Sequence, residues 1–291
     1  MSDHARAVAV LPYGKKLGFW PGRLPLNEMV WPLGQPDRLK GRALRDLASD
    51  DHLLIFPSGT AHIRPSFGTK ARVTMMVLEP AVLHGKHLEK LKRSHRKFFR
   101  VMSANEDFLK TVPNGVFLPH GTTWVPEWRN LDVKKTRMLS LIASSKRDLE
   151  GHILRHEMAE WAEEKGLEMD MMGRGYKPFD TKSDGLAPYR FSVVIENVQE
   201  PNYFTEKIID AILCESVPIY WGCPNIERFM ATDGIIVCNS ADDLRAAIAA
   251  ASVAEYDRRL PALKAIKEKA AFWGDLEKRA AKAILESHDR K

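Results

Sequence analysis

Cysteine is scarce in this sequence: three residues in 291, Cys214, Cys223 and Cys238, with no CxxC spacing. They cannot all pair with one another, which argues against a disulfide framework and against a cysteine-based zinc site, and suits a reducing compartment. Long apolar runs are also missing. No window approaches the run of about 18 residues needed to span a bilayer, and the start "MSDHARAVAVLPYG" has no secretory h-region with a cleavage site, so the expectation is a soluble cytoplasmic protein. A Gly-x-Ser-x-Gly elbow, a Walker A loop and zinc-finger spacing are absent, which weakens hydrolase, nucleotidase and finger readings. Internal repeats and low-complexity tracts are absent too.

The composition is that of a globular chain, with 44% hydrophobic and 28% charged residues. The length exceeds one average domain, so two domains are expected. The formal net charge of +6 favours anionic partners, from nucleic acid to nucleotide sugars to acidic lipid headgroups, without choosing among them. Much of the excess lies in "HGKHLEKLKRSHRKFFR" (84–100), where Leu88, Leu91 and His95 mark an amphipathic surface helix leading into a strand. That basic face is either simply solvated or suited to docking on an acidic acceptor or an anionic membrane surface.

In the N-terminal part, short apolar runs bounded by turn residues occur at 7–14, 52–59, 71–80, 98–103 and 115–121. They are continuous rather than alternating, as buried strands of a parallel sheet are. The polar, Trp-containing stretch 122–136 interrupts them and is taken as the linker between an N-terminal domain, 1–130, and a C-terminal domain, 131–291. A second series then alternates strand and helix as βαβ units require. Its members are strand "RMLSLIAS", a helix from about Gly151 to Lys165, strands "LEMDMMG" and "FSVVIEN", helix "TEKIIDAILCE", strands "VPIYWG" and "GIIVC", and helix "SADDLRAAIAAA". The tail, 255–289, is helical by propensity and broken at Pro261 and Gly274; its helices can pack back on the N-terminal domain. The fold class this predicts is α/β, two Rossmann-like domains facing a cleft, with ligand at the carboxyl ends of the strands.

The apolar run "FSVVI" stops at Glu196 and Asn197, which places a polar pair at the end of a buried strand. Thr205 then has the chemistry to cap the next helix, and Ile208, Ile209, Ile212 and Leu213 give it one buried face. Lys207 falls in its first turn. A cation there opposes the helix macrodipole at a cost of about 0.3–1 kcal/mol. A phosphate would reverse the sign, because it accepts hydrogen bonds from the free N–H groups and pairs with the lysine. The alternative is a Lys207 that points to water or pairs with Glu206 or Asp210.

The stretch "FSVVIENVQEPNYFTEKIIDAILCESVPIYWGCPNI" resembles the donor-binding signature of the family 10 glycosyltransferases, the α-1,3/1,4-fucosyltransferases, and is most similar to bacterial members. The resemblance covers most of 139–240 and is loose in the N-terminal half. It implies a two-Rossmann-domain (GT-B) fold and GDP-fucose as donor substrate, with no other cofactor, the sugar passing to a glycan acceptor. Carried over by position, Lys207 contacts the diphosphate, Glu206 lies by the fucose or ribose, Asn197 and Tyr203 line the nucleotide pocket, and the diphosphate-binding arginine corresponds to Arg155. "MMGRGYKP" resembles the family after its second strand. Two departures touch the base or sugar contacts: Ser145 in "ASS", where many members have Ala-Ser-Asn, and Val198 after Glu-Asn.

Inverting transfer needs a base for the acceptor hydroxyl and a counter-charge for the leaving diphosphate. Glu79 ends the apolar run "ARVTMMVL" before Pro80 and resembles in context the family's catalytic glutamate; a helix-capping or ion-paired Glu79 is the alternative. Glu206 can stabilise an oxocarbenium-like transition state, or merely complement a helix terminus. No Asp-x-Asp loop sits at a convincing strand end, so transfer is expected to be metal-independent, with Arg155 and Lys207 offsetting the charge. His152 and His156 share a helix face without a third ligand, and His120 follows a strand as a loop histidine or a lining of the acceptor cleft. Tyr220 and Trp221 are core or cleft-wall packing as readily as sugar platforms. Two further readings are a transferase using another nucleotide sugar and a non-enzymatic nucleotide- or nucleic-acid-binding protein; for nucleic acid the basic charge outside 84–100 is too dispersed.

Overall fold

The computed structural model describes residues 6–288. They form two compact units, one of residues 6–120 with 276–288 and one of residues 121–275. Each is built on a five-stranded sheet whose strands all pair in parallel.

In unit 1 the strands are β1 (Val8–Val10), β2 (His52–Ile55), β3 (Arg72–Val77), β4 (Arg100–Ser103) and β5 (Gly115–Phe117), in the order β1-β2-β3-β4-β5. These coincide with the apolar runs of the N-terminal half. The order never reverses, so right-handed crossovers place every connection on the same face of the sheet. There, α1 (Ala81–Ser94), α2 (Glu106–Leu109) and the irregular β1–β2 connection bring Leu88, Leu91, Phe108, Leu26 and Leu44 against Leu53, Ile55 and Met75. The opposite face carries the alternate side chains Val8, Val10, Leu54, Met76 and Met102. The C-terminal helix Leu276–His288 covers it with Leu276, Ala280, Ala281 and Ile284. Arg279 secures that helix by donating to the carbonyl oxygens of Pro119 (3.1 Å) and His120 (2.8 Å). Burial on both faces is why these strands read as continuous apolar runs.

Unit 2 contains β6 (Arg137–Ile142), α3 (Glu150–Glu164), β7 (Met169–Met172), β8 (Tyr189–Ile195), α4 (Glu206–Leu213), β9 (Val217–Trp221), β10 (Ile236–Val237), α5 (Ala241–Ala249), α6 (Val253–Ala265) and α7 (Lys267–Gly274). Its strand order is β10-β9-β8-β6-β7. The chain leaves β6 toward β7 on one side and returns to β8 on the other. The order therefore reverses between β6 and β8, and in open parallel sheets the crevice at such a reversal receives the ligand. The stretch 122–136 lies at the start of this unit, where Thr123 Oγ1 donates to buried Asp210 (2.7 Å). One expectation fails in the tail: Pro261 sits inside α6, and the helices part at Ile266 and Asp275. A proline removes one backbone donor from a helix, and α6 keeps its course with Tyr256 and Leu263 buried on either side of it. No helix of the described residues is long and apolar enough to cross a membrane.

Candidate functional site

The site in unit 2 begins with a glycine. α3 starts against the end of β8, where Gly151 N donates to the Asn197 carbonyl (2.9 Å), and a Cβ on Gly151 would overlap the Glu196 carbonyl oxygen. Only glycine permits this approach. One helical turn later it delivers Arg155 to the strand end. Arg155 Nε and Nη2 donate to the Ile195 carbonyl (2.9 and 2.6 Å), and Nη2 also donates to Asn197 Oδ1 (3.1 Å). Burial lowers the pKa of this guanidinium, with Glu196 and Glu206 acting in the opposite sense. It remains a cation at any physiological pH.

The N-terminus of α4 supplies the facing wall. Thr205 is its N-cap, accepting from Lys207 N (3.3 Å) at Oγ1. Beneath it lies Glu196, fully buried, whose carboxylate accepts from Thr205 N and Thr205 Oγ1, each at 2.8 Å. Lys207 Nζ stands 3.5 Å from Glu196 and 3.2 Å from Glu206, and donates to Thr205 Oγ1 at 3.0 Å. Burial works against the charge on Lys207, but Glu196 and Glu206 outweigh it and leave the pKa raised. Part of the reason for a lysine in the first turn is thus internal: it compensates two carboxylates, one of them out of reach of water. The ammonium still lines the cavity, with the Lys207 side chain 22% exposed.

That cavity, about 1030 Å³, opens between the ends of β6 and β8. Ile142 to Ser144 form one margin and Val193 to Ile195 with Asn197 the other, and Arg155, Glu206 and Lys207 all line it. Its volume suits a nucleotide-sized ligand. Gly173, at φ +98°, turns the chain after β7 so closely that a Cβ would overlap the Ala143 carbonyl oxygen. A third central cation was not foreseen: Lys182 lines the cavity, its ammonium 5.3 Å from the centre of the Trp124 ring. Burial lowers its pKa, opposed by Glu206 and Asp210. Lys146 and Arg174 extend the positive lining, against Glu127, Asp180 and Glu206. Nothing in "DTKSDG" marks Lys182 in the sequence, because its partners are distant in the chain.

Tyr203 departs from its expected place in the pocket lining. Tyr203 is buried and does not line the cavity; its hydroxyl is 3.4 Å from Asn197 Nδ2, which donates to it. Tyr220 and Trp221 are core, Tyr220 accepting from Cys223 N (2.9 Å) at its hydroxyl. His152 bonds Asp148 (2.7 Å), and His156 bonds Tyr176 (2.7 Å) and the Lys146 carbonyl (3.2 Å). No group of three or more potential ligands suited to a metal ion occurs among the described residues. Glu79 stands in unit 1, two residues beyond β3 and half-buried, where it raises the pKa of Tyr13 by charge and hydrogen bond, after burial as the larger cause. His120 closes the same unit.

Asp210, two residues past the first turn of α4, is fully buried and accepts from Thr123 Oγ1 and from Trp124 N (3.1 Å) at Oδ1, while Oδ2 has no hydrogen-bond partner. Burial pushes its pKa up to about 7.

The likeness to glycosyltransferase family 10 drawn from residues 191–226 extends over a longer segment. Residues 133–255 match the family model described as glycosyltransferase family 10 (fucosyltransferase), C-terminal. An alpha-(1,3)-fucosyltransferase of Helicobacter pylori is 45% identical over 47 residues, 16% of this chain and 10% of the relative. A 3-galactosyl-N-acetylglucosaminide 4-alpha-L-fucosyltransferase of Pan troglodytes is 30% identical over 161 residues, 52% of this chain and 40% of the relative. The chain therefore spans less than half the length of these curated relatives. Among solved structures, an alpha,alpha-trehalose-phosphate synthase (UDP-forming) from Burkholderia vietnamiensis aligns with a TM-score of 0.55 at 10% identity, over 83% of this chain and 72% of that one. It shows the fold, two parallel-sheet Rossmann-like units of the GT-B class.

Proposed function

With residues 133–255 matching the C-terminal domain of glycosyltransferase family 10, we propose that the protein transfers fucose from GDP-fucose to a hydroxyl of a glycan, with inversion at the sugar carbon. The observation that carries this reading is the convergence of Arg155, Lys182 and Lys207 on one cavity at the strand reversal of unit 2. The diphosphate is held there against the N-terminus of α4, where backbone N–H groups and side-chain cations act together. The Lys207 ammonium, already paired with Glu206 (3.2 Å) and Glu196 (3.5 Å), lines the cavity and can meet the substrate diphosphate as well.

The acceptor oxygen bonds to the fucose anomeric carbon as the bond from that carbon to the β-phosphate oxygen breaks. GDP leaves with its electron pair. The acceptor proton passes to a base, for which Glu79 is our assignment. The transition state carries positive charge on the ring and negative charge on the leaving group. Glu206 serves the first and the cations serve the second, a division that does not call for a metal. Asn197 holds Arg155 in place, and Tyr203, one layer deeper, holds Asn197. Tyr203 is thus a positioning residue rather than a pocket wall.

A different nucleotide sugar remains the second reading, favoured by Ser145 and Val198 where the family signature has other residues. A thermal-stability panel of GDP, UDP, GDP-fucose and UDP-sugars separates the two. A ligand at about 100 times its dissociation constant adds about 2.7 kcal/mol. Stabilisation by guanine nucleotides, greatest with fucose attached, supports GDP-fucose. A uridine-specific response overturns it, and retention of turnover by Glu79→Gln reassigns the base. Loss of all turnover on chelation, restored by manganese, overturns metal independence.

A further inference from the structure

Unit 1 holds a second cavity, about 1410 Å³, between the loop after β1, the loop after β2 and the start of α1. Its rim is unusual for a soluble surface. Phe19 is 85% exposed, Ile63 77%, and Trp20 and Tyr13 67% each, and all four line it. Lys15, Lys16, Arg23, Arg45 and Arg64 also line it, and among the described residues no Asp or Glu does. Lys15 is ion-paired with Glu28 and Tyr13 is hydrogen-bonded to Glu79, so the basic edge rests on Lys16, Arg23, Arg45 and Arg64. Large apolar side chains pointing outward among such cations are what an anionic bilayer surface selects. The rings and the isoleucine enter the headgroup boundary, and the cations meet lipid phosphates.

The rim is built rather than loose. Arg64 donates to the Gly18 carbonyl and so ties the segment after β2 to the loop that carries Phe19 and Trp20. Gly22 and Gly68 meet backbone to backbone, so that a Cβ on Gly68 would overlap Gly22 N, and Gly68 is at φ +70°. Phe19 and Trp20 pack edge to face at 5.1 Å, and Arg23 lies 5.7 Å from the Trp20 ring centre. On the adjoining α1, whose His84 shares the cavity, Val82 and Leu83 are exposed as well, and Lys86 and Lys90 follow them. Ser58, Thr60, Ser66 and His84 also line the cavity and could hydrogen-bond a saccharide, which is the competing occupant. What favours a bilayer is the outward exposure of Phe19 and Ile63, which offer a sugar hydroxyl nothing.

We infer that this face of unit 1 docks on membranes rich in anionic lipid, with Phe19, Trp20 and Ile63 inserted and Lys16, Arg23 and Arg64 on the phosphates. The inference stands independently of the donor reading for unit 2. Co-sedimentation of the full chain with vesicles of phosphatidylglycerol, and separately of phosphatidylcholine, tests it. Binding to the anionic vesicles at low salt is expected, with a blue shift of tryptophan emission. Partitioning falls at least tenfold in the double variant Phe19→Ser with Trp20→Ser, and likewise in Lys16→Glu with Arg23→Glu. Since these side chains are exposed, the variants keep the wild-type melting temperature and its shift with GDP-fucose. Absence of vesicle binding by the wild-type chain, undiminished binding by the aromatic variant, or capture of soluble polygalacturonate by this face in place of vesicles overturns the inference. A missing GDP-fucose shift in an otherwise membrane-bound protein would overturn the donor reading alone.

Discussion

The two units use the same material, a five-stranded parallel sheet, and arrive at opposite surfaces. In unit 2 the strand order reverses between β6 and β8, so the ends of those strands splay and a crevice opens over buried backbone, where Arg155, Lys182 and Lys207 gather. In unit 1 the order never reverses, the connections crowd one face, and the sheet's other face needs a helix from the far end of the chain to cover it. Its cavity lies between loops instead, and its walls are apolar with a basic edge. The difference teaches that charge alone does not define a site. The cations of unit 2 are held by buried carbonyl and carboxylate groups and can orient a ligand, whereas those of unit 1 ring a surface.

The largest effect that sharpens this contrast is expected from Arg155→Ala. Its hydrogen bonds to Ile195 and Asn197 order the pocket and it lines the cavity proposed for the diphosphate, so the affinity for GDP should fall about 100-fold, about 2.7 kcal/mol, by calorimetric titration. The Phe19→Ser and Trp20→Ser pair should leave the same titration unchanged. If both variants weakened GDP equally, the division of labour between the units would be broken.

Next come the glycines. Gly151→Ala must push α3 away from the end of β8, because the added Cβ has no room. The cost should be about 2 kcal/mol in chemical denaturation, with nucleotide binding weakened less than in Arg155→Ala. Gly59→Ala in unit 1, where nothing lies within 4 Å of the new Cβ, should stay within about 0.5 kcal/mol.

The units also differ in the sign of a pH effect. Asp210 has its folded pKa raised to about 7 from 3.8, so its contribution is fully present below the unfolded value and is lost as pH rises through about 7. His62 has its folded pKa lowered to about 4 from 6.5, chiefly by burial and then by His87, so its contribution is present above the unfolded value and is lost as pH falls toward 4. Denaturation of Asp210→Asn between pH 5 and 8 should show a shallower fall of stability toward the alkaline side than the parent. His62→Gln should show a shallower fall toward the acid side. An unchanged profile in either variant would separate that group from its assigned environment. The smallest loss of affinity is expected from Lys182→Met, whose ammonium contributes about 1 kcal/mol, roughly a fivefold loss in GDP affinity.

Much of the fold was legible because burial on both faces writes each strand as an apolar run with a polar end. Glu196, Asn197 and the Thr205 cap could be placed from that pattern alone, and Arg155 and Lys207 do share a cavity. Three features were not legible. The buried Glu196 reads like any strand-end acid, although a glutamate adjoining so apolar a run demands a cation, and Lys207 supplies it. Lys182 enters through a loop whose course depends on Gly173 and on contacts far along the chain. The family resemblance alone places Tyr203 in the pocket, whereas its side chain turns inward to Asn197. Pro261 misled for the opposite reason, since a rule about isolated helices gave way to a helix with buried residues before and after it.

The most direct measurement is calorimetric titration of guanosine and GDP against the wild-type chain and Arg155→Met, with melting temperature as the folding control. Cations that hold a diphosphate predict that GDP binds wild type at least about 100-fold more tightly than guanosine and that Arg155→Met closes most of the gap. Equal affinity for guanosine and GDP, or a gap that survives in a folded Arg155→Met, would contradict a diphosphate at the strand reversal of unit 2.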